Sequence, residues 1–371
     1  MVTTDVVSAD SHVIEPHDLW QRYTPAAYAD RVPRLVRGED TDKLVGEDFE
    51  SNVGLRPAAN MTDDSPGGRV EITGRWETDV FPGGYDPHQR TKDLDIDGVD
   101  AEILFPTTAL SFYSAIADTA YLWVLIRAYN TWLADFCGEY PDRLKGIGML
   151  TVEDPALAVA ELARCKELGH VGAMVPLFPG EGRSYADRDL DPLWAAAADL
   201  RMPVNVHSST SRDKSRNFFA ITSFTEKMLN TPYQIQRVLL ELMFSGVFDR
   251  HPGLRIVSAE NDAGWAGNTA ERGDYWWTRV AKLADQPDVV SEHEPSHYLH
   301  RNVSHAFMRD RTAVLARDVI GPDSLMWGND FPHYITTWPD SQALVGEYKA
   351  YLDPDAHAKV FGGNARALYG F

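Results

Sequence analysis

The chain has 371 residues, a formal net charge of −20 and 44% hydrophobic residues. That length allows one large domain or two average ones, and the composition suits a soluble globular enzyme. The acidic balance, with an isoelectric point near 4.9, argues against nucleic acid or an anionic membrane as a partner.

In chain order, short apolar runs alternate with helix-like segments. The predicted strands are Asp5–Asp10, Ala101–Thr107, Leu144–Thr151, Gly172–Leu177, Pro203–Ser208, Leu254–Ala259, Val303–Met308 and Ser324–Asn329. The predicted helices include Ala117–Tyr140, Pro155–Leu168, Leu190–Leu200, Ile221–Phe248 and Ala266–Ala284. Such alternation signals parallel βαβ units. Eight strands point to a closed (β/α)8 TIM barrel, here as one domain over residues 1–371. The alternation breaks between Glu15 and Asp95, a stretch rich in Gly, Pro, Asp and Arg. It is too long for an ordinary connection. It reads as a lid-like insertion after strand one that covers the barrel's C-terminal face, where active sites of this fold lie. The end of the chain, Asp353–Phe371, reads as one or two closing helices interrupted at Gly362-Gly363.

Cys137 and Cys165 fall inside predicted helices without metal-ligand spacing, so they read as structural thiols. The N-terminus lacks the pattern of a signal peptide. No run approaches ~18 uninterrupted apolar residues, so no membrane span is expected. A cytoplasmic location follows as the expectation.

The chemistry gathers at strand ends. Asp10 and His12 lie two apart, so a strand turns both to one face. His207 ends a second apolar run, Glu260 follows a third and Asp330 a fourth. Strand-end Asp and His residues converging at the mouth of a barrel make a site for a divalent metal. Glu15, just before Pro16, is either a further ligand or a helix cap. His305 lies inside strand seven and reads as a core histidine or a surplus ligand. His333 follows Asp330 by three residues, placing it as a ligand, a general acid or a substrate contact. Trp20, Phe105, Phe178, Trp265 and Trp338 are candidates for an aromatic-lined mouth, or for the core, and would suit a small aromatic or apolar substrate.

Asp10-Ser-His-Val-Ile-Glu-Pro16, His207, His251-Pro-Gly-Leu-Arg-Ile-Val-Ser-Ala-Glu260 and Trp327-Gly-Asn-Asp-Phe-Pro-His333 resemble the amidohydrolase-related family. This is the branch that contains aminocarboxymuconate-semialdehyde decarboxylase and γ-resorcylate decarboxylase. Asp97–Pro106 and Gly363–Tyr369 also resemble family segments. The resemblance implies that Asp10, His12, His207 and Asp330 hold the metal, zinc or manganese, and that the protein is a homodimer acting on a small molecule. It implies hydrolysis or non-oxidative decarboxylation, and among the residues at the barrel mouth Asp330, Glu260 and His333 are the candidate catalytic groups. Glu260 stands where the decarboxylases carry a histidine. An unperturbed carboxylate is a poorer proton donor near neutral pH. Glu15, Glu260, His305 and His333 exceed what one ion needs. A dinuclear iron or manganese monooxygenase on the same fold is therefore a second reading, and a non-catalytic partner subunit a third.

Overall fold

A computed structural model describes residues 5–53, 74–216, 223–280 and 290–371. Eight parallel strands form one sheet in the order β1 (Val7–His12), β5 (Ala101–Phe105), β6 (Leu144–Met149), β7 (Gly172–Val175), β8 (Val204–His207), β9 (Ile256–Ala259), β10 (Val303–Phe307) and β11 (Leu325–Trp327). Each lies within a predicted strand or overlaps it by all but two residues. They are short, Val/Ile/Leu-rich and buried, as expected of strands covered on both faces. Helices Thr119–Gly138, Pro155–Glu167, Asp191–Asp199, Phe224–Phe244 and Gly264–Val280 fill the predicted helical stretches. Residues 221–222 and 281–284 of the predicted helices lie outside the described residues.

The two ends of the sheet meet just beyond β1 and β11, which brings the strands into a nearly closed barrel. Asp330 N donates to Asp10 O at 2.9 Å, and His12 N to Phe331 O at 2.7 Å. Asn329 fastens the junction. Its Oδ1 accepts from Ser8 Oγ at 3.1 Å, Ser11 Oγ at 2.8 Å and Phe331 N at 3.1 Å, and its Nδ2 donates to Asp97 Oδ2 at 3.1 Å. The C-terminal segment forms two helices as predicted, Pro354–Ala358 and Asn364–Tyr369, separated by a π-helical turn over Lys359–Gly363. Gly362 is required there, because a Cβ would sit 2.0 Å from Asp5 O.

The predicted insertion differs from expectation in two ways. It contains a three-stranded antiparallel sheet, β2 (Arg34–Val36), β3 (Lys43–Gly46) and β4 (Phe49–Asn52). Its last residues are not insertion at all. Pro87–Asp97 is the helix that leads from β1 toward β5, capped by Asp86 and stopped by Gly98 at φ 67°. Its buried face carries Arg90, Asp93 and Asp97 rather than an apolar stripe, which hid it from hydrophobic periodicity. The rest of the insertion packs beside the loops at the C-terminal ends of β5 and β11. Trp20 and Phe49 meet Phe112, and Phe81 meets Phe331 and Trp338. Residues 54–73 of the expected lid lie outside the described residues.

Candidate metal centre and active site

β1 carries a register shift between Ser8 and Ser11. A bulge of this kind re-aims side chains, yet Asp10 and His12 still converge. His12 Nε2 lies 3.6 Å from Asp10 Oδ1, 3.2 Å from Asp330 Oδ1 and 3.3 Å from His207 Nε2. His207 Nε2 lies 3.6 Å from Asp10 Oδ1. All four residues are at most 5% exposed.

Hydrogen bonds settle what the two imidazoles offer. His12 Nδ1 donates to Pro106 O at 2.7 Å and His207 Nδ1 to Ser208 O at 3.0 Å. A carbonyl can only accept, so in the neutral ring the other nitrogen, Nε2, carries the lone pair. Two lone pairs 3.3 Å apart repel unless a cation stands between them. With metal–nitrogen bonds of about 2.1 Å, neighbouring ligands in octahedral to tetrahedral shells are about 3.0–3.4 Å apart. Asp10 Oδ1 is buried without an aligned hydrogen bond, an expensive state for a carboxylate oxygen unless an ion meets it. The donor set therefore fits one divalent metal held by two imidazoles and two carboxylates.

The remaining candidates divide. His333 stacks on His12 with ring centroids 3.9 Å apart, sets Nδ1 2.9 Å from Asp330 Oδ1 and pairs Nε2 with Thr107 Oγ1 at 3.0 Å. Burial pulls its imidazole down, but the Asp330 carboxylate outweighs this and holds it above its usual value. Burial acts on Asp330 in the opposite sense to its histidine neighbours. His333 and His12 win and keep the carboxyl well below the usual range. Glu260 approaches from behind His207, its Oε2 3.5 Å from His207 Nδ1 and bonded by the Ser208 hydroxyl. Burial pushes its carboxyl up.

Glu15 does not join the cluster, contrary to the ligand reading. Its Oε1 accepts from Thr107 N at 3.2 Å and Ala109 N at 3.0 Å, and its Oε2 from Thr108 N at 2.8 Å. Three amides at the start of the 3-10 turn Thr108–Ser111 occupy both oxygens, so the capping reading describes it, for a turn other than the one expected. His305 is also apart. It is fully buried, edge-on to Trp265 at 5.5 Å, and burial lowers its imidazole to about 4. It is a neutral core histidine.

The chain turns away from β8, β9 and β11 through Ser209, Glu260 and Asp330, at φ 65°, 55° and 57°. Left-handed backbone at non-glycine residues costs about 1–3 kcal/mol each and gathers at functional sites. A cavity of about 560 Å³ opens over these turns, with Asp10, Asp330, His333 and Glu260 on its inner wall. Leu110, Met228, Leu229, Met308 and Ile335 line it further out, and Arg309 stands among them. None of Trp20, Phe105, Phe178, Trp265 and Trp338 lines this cavity. Trp20 and Phe105 are wholly buried and belong to the core reading. Thr107, Ser208, Arg90 and Arg309 were missed in the sequence. Only Thr107 and Ser208 carried a signal, as polar residues at strand ends.

Residues 82–371 match the protein family described as Amidohydrolase. The chain is 26% identical over 256 residues to the γ-resorcylate decarboxylase of a Polaromonas species, covering 66% of this chain and 76% of that protein. It superposes on an amidohydrolase from Mycobacterium avium subsp. paratuberculosis with a TM-score of 0.81 at 22% identity, covering 100% of this chain and 99% of the other. It is similar also to 5-carboxyvanillate decarboxylase of Novosphingobium aromaticivorans, solved with manganese and 4-hydroxy-3-methoxy-5-nitrobenzoic acid, with a TM-score of 0.70 at 20% identity over 99% and 96% of the two chains.

Proposed function

Because the chain belongs to the amidohydrolase family and is a metal-dependent hydrolase or carboxy-lyase, we propose that it decarboxylates a small aromatic carboxylate without redox chemistry. The observation that carries this reading is the cavity of about 560 Å³, whose apolar outer wall leads to an inner wall of Asp10, Asp330, His333 and Glu260. A flat ring suits the former, and a carboxylate beside a metal suits the latter. A single divalent metal on Asp10, His12, His207 and Asp330, manganese or zinc, supplies positive charge for the substrate's carboxylate and a neighbouring oxygen. Arg309, without a carboxylate partner among the described residues, stands on the same wall and can hold another anionic group of the substrate.

Loss of carbon dioxide leaves an electron pair on the ring carbon, which must take up a proton. Asp330, held ionised by His333 and His12 against the effect of burial, is no donor. Glu260 is the acid in this proposal. Burial raises its carboxyl above the ordinary value, and the Ser208 hydroxyl holds one of its oxygens. The environment thus supplies what an unperturbed carboxyl lacks. His333 orients Asp330 and keeps it charged. The position of Glu15 and His305 away from the cluster speaks for one ion rather than the two that the monooxygenase reading needs. The complete donor set speaks against a non-catalytic subunit.

The test is turnover of a panel of hydroxybenzoates by manganese-loaded protein in deuterated water. Release of carbon dioxide, with one deuterium at the vacated carbon, is expected. Glu260→Gln is expected to lower kcat about 10²–10⁴-fold at unchanged metal stoichiometry. Hydrolysis of amides or esters with no carbon dioxide from any benzoate would overturn the proposal.

A further inference from the structure

A larger cavity, about 750 Å³, lies at the opposite end of the barrel, where β8, β9, β10 and β11 begin. Arg201, Arg255, Arg301 and Lys359 line it, with Met202 and Leu368 among its apolar residues. Asp323 is the one carboxylate residue lining it, and Lys359 Nζ already pairs with Asp323 Oδ1 at 2.7 Å. The three arginines have no carboxylate partner among the described residues. Two of them, Arg255 and Arg301, are steadied by neutral acceptors instead. Arg301 Nε donates to Asn302 Oδ1 at 2.8 Å and Nη2 to Phe248 O at 2.8 Å. Arg255 Nη1 donates to Pro252 O at 3.1 Å and Leu254 O at 3.2 Å. Such bonds fix a guanidinium without cancelling its charge.

This arrangement runs against the rest of the molecule. The chain has 55 acidic and 35 basic residues, so carboxylates are plentiful, yet none meets these arginines. Arg255 is half-buried, and burial together with the neighbouring Arg301 charge pushes its guanidinium below the ordinary value. Like charges held together in a partly desolvated place repel, and an anion between them removes that cost. One carboxylate can satisfy one arginine fork. Three forks call for a group with at least two charges and several acceptor oxygens. The cavity is also much larger than an inorganic ion needs and lies in the range of organic ligands.

We propose that this cavity binds a small organic phosphomonoester, its dianionic head among Arg201, Arg255 and Arg301 and its apolar body against Met202 and Leu368. The site is separate from the metal centre, which occupies the other end of the barrel.

The probe is phenyl phosphate, titrated calorimetrically into metal-loaded protein at fixed ionic strength. Saturable binding is expected. Arg255→Gln and Arg201→Gln should each weaken it about tenfold, while His207→Ala, which disables the metal centre, should leave it intact. Arg201 is exposed and its side chain makes no hydrogen bond among the described residues, so that variant reports even if Arg255→Gln fails to fold. Absence of saturable binding would overturn the proposal. So would undiminished affinity in Arg201→Gln, loss of binding in His207→Ala, or preference for succinate over phenyl phosphate.

Discussion

Removing the guanidinium of Arg90 should cost more than any other single truncation near the site. Arg90 and Glu102 are both completely buried. Arg90 Nε and Nη2 bond Glu102 Oε1 and Oε2 at 2.5 and 2.9 Å. The same group donates to three main-chain carbonyls: His12 O at 2.8 Å, Gly83 O at 3.2 Å and Phe331 O at 3.0 Å. Arg90→Met keeps the bulk and strands the Glu102 carboxylate in the interior. Breaking a buried pair on one side costs about 3–5 kcal/mol. The double variant Arg90→Met/Glu102→Leu removes the stranded charge and should recover about 1–3 kcal/mol of this. The carbonyls left without donors should prevent full recovery. Two of these carbonyls belong to His12 and to the residue after Asp330, so metal affinity in Arg90→Met should also fall about 10–100-fold, as for other outer-shell contacts. The assay is urea unfolding of the first cooperative transition for the four members of the cycle, with metal affinity measured alongside. A cost below about 1 kcal/mol with unchanged affinity would refute the reasoning, because a stranded buried charge cannot be so cheap.

His207→Ala and Asp330→Ala should each lose most of the bound metal while retaining native circular dichroism; full occupancy by elemental analysis in both would remove the ligand assignment. Glu15→Gln presents an amide where backbone donors expect an acceptor, and should lose about 1–3 kcal/mol of stability with metal stoichiometry unchanged; loss of metal at intact stability would restore Glu15 as a ligand. Burial depresses the His207 imidazole, but Asp10 and Glu260 outweigh it and hold it up at about 9. A proton on Nε2 competes with the cation, so apparent metal affinity should rise about tenfold per pH unit between roughly pH 6 and 8 and level off above that value. A flat profile in chelator competition would contradict it.

The barrel was legible because its strands are short, mostly apolar runs alternating with helical segments, and that pattern survives without tertiary information. The convergence of Asp10, His12, His207 and Asp330 was legible because they sit at or just beyond the ends of strands. The helix Pro87–Asp97 was not, since its inward face is Arg90, Asp93 and Asp97, and a charged face signals solvent until its partners are known. Nor were β2, β3 and β4, each only three or four residues long and mostly no more than partly buried. The function of Glu15 depends on amides more than 90 positions away, which no local pattern encodes. His305 was read inside strand seven, as a core histidine or a surplus ligand, and the core reading describes it. Its place within a strand, rather than at its end, turned it toward Trp265 instead of the barrel mouth.

Asp10 and His12 come from the first barrel strand and Asp330 from the turn after the last, where Asp330 N–Asp10 O and His12 N–Phe331 O join the two. Some 330 residues must leave the ribosome before these groups can meet, so a nascent chain could not load a metal held by them early. Loading is a report that synthesis and closure are done. An ion held by Asp10, His12 and Asp330 would clasp the seam. At a free concentration one hundred times its Kd it would add about 2.7 kcal/mol against opening. A cell short of the metal would thus hold a pool of barrels whose weakest line is the join between the oldest and the newest strand, and proteases would find it there first.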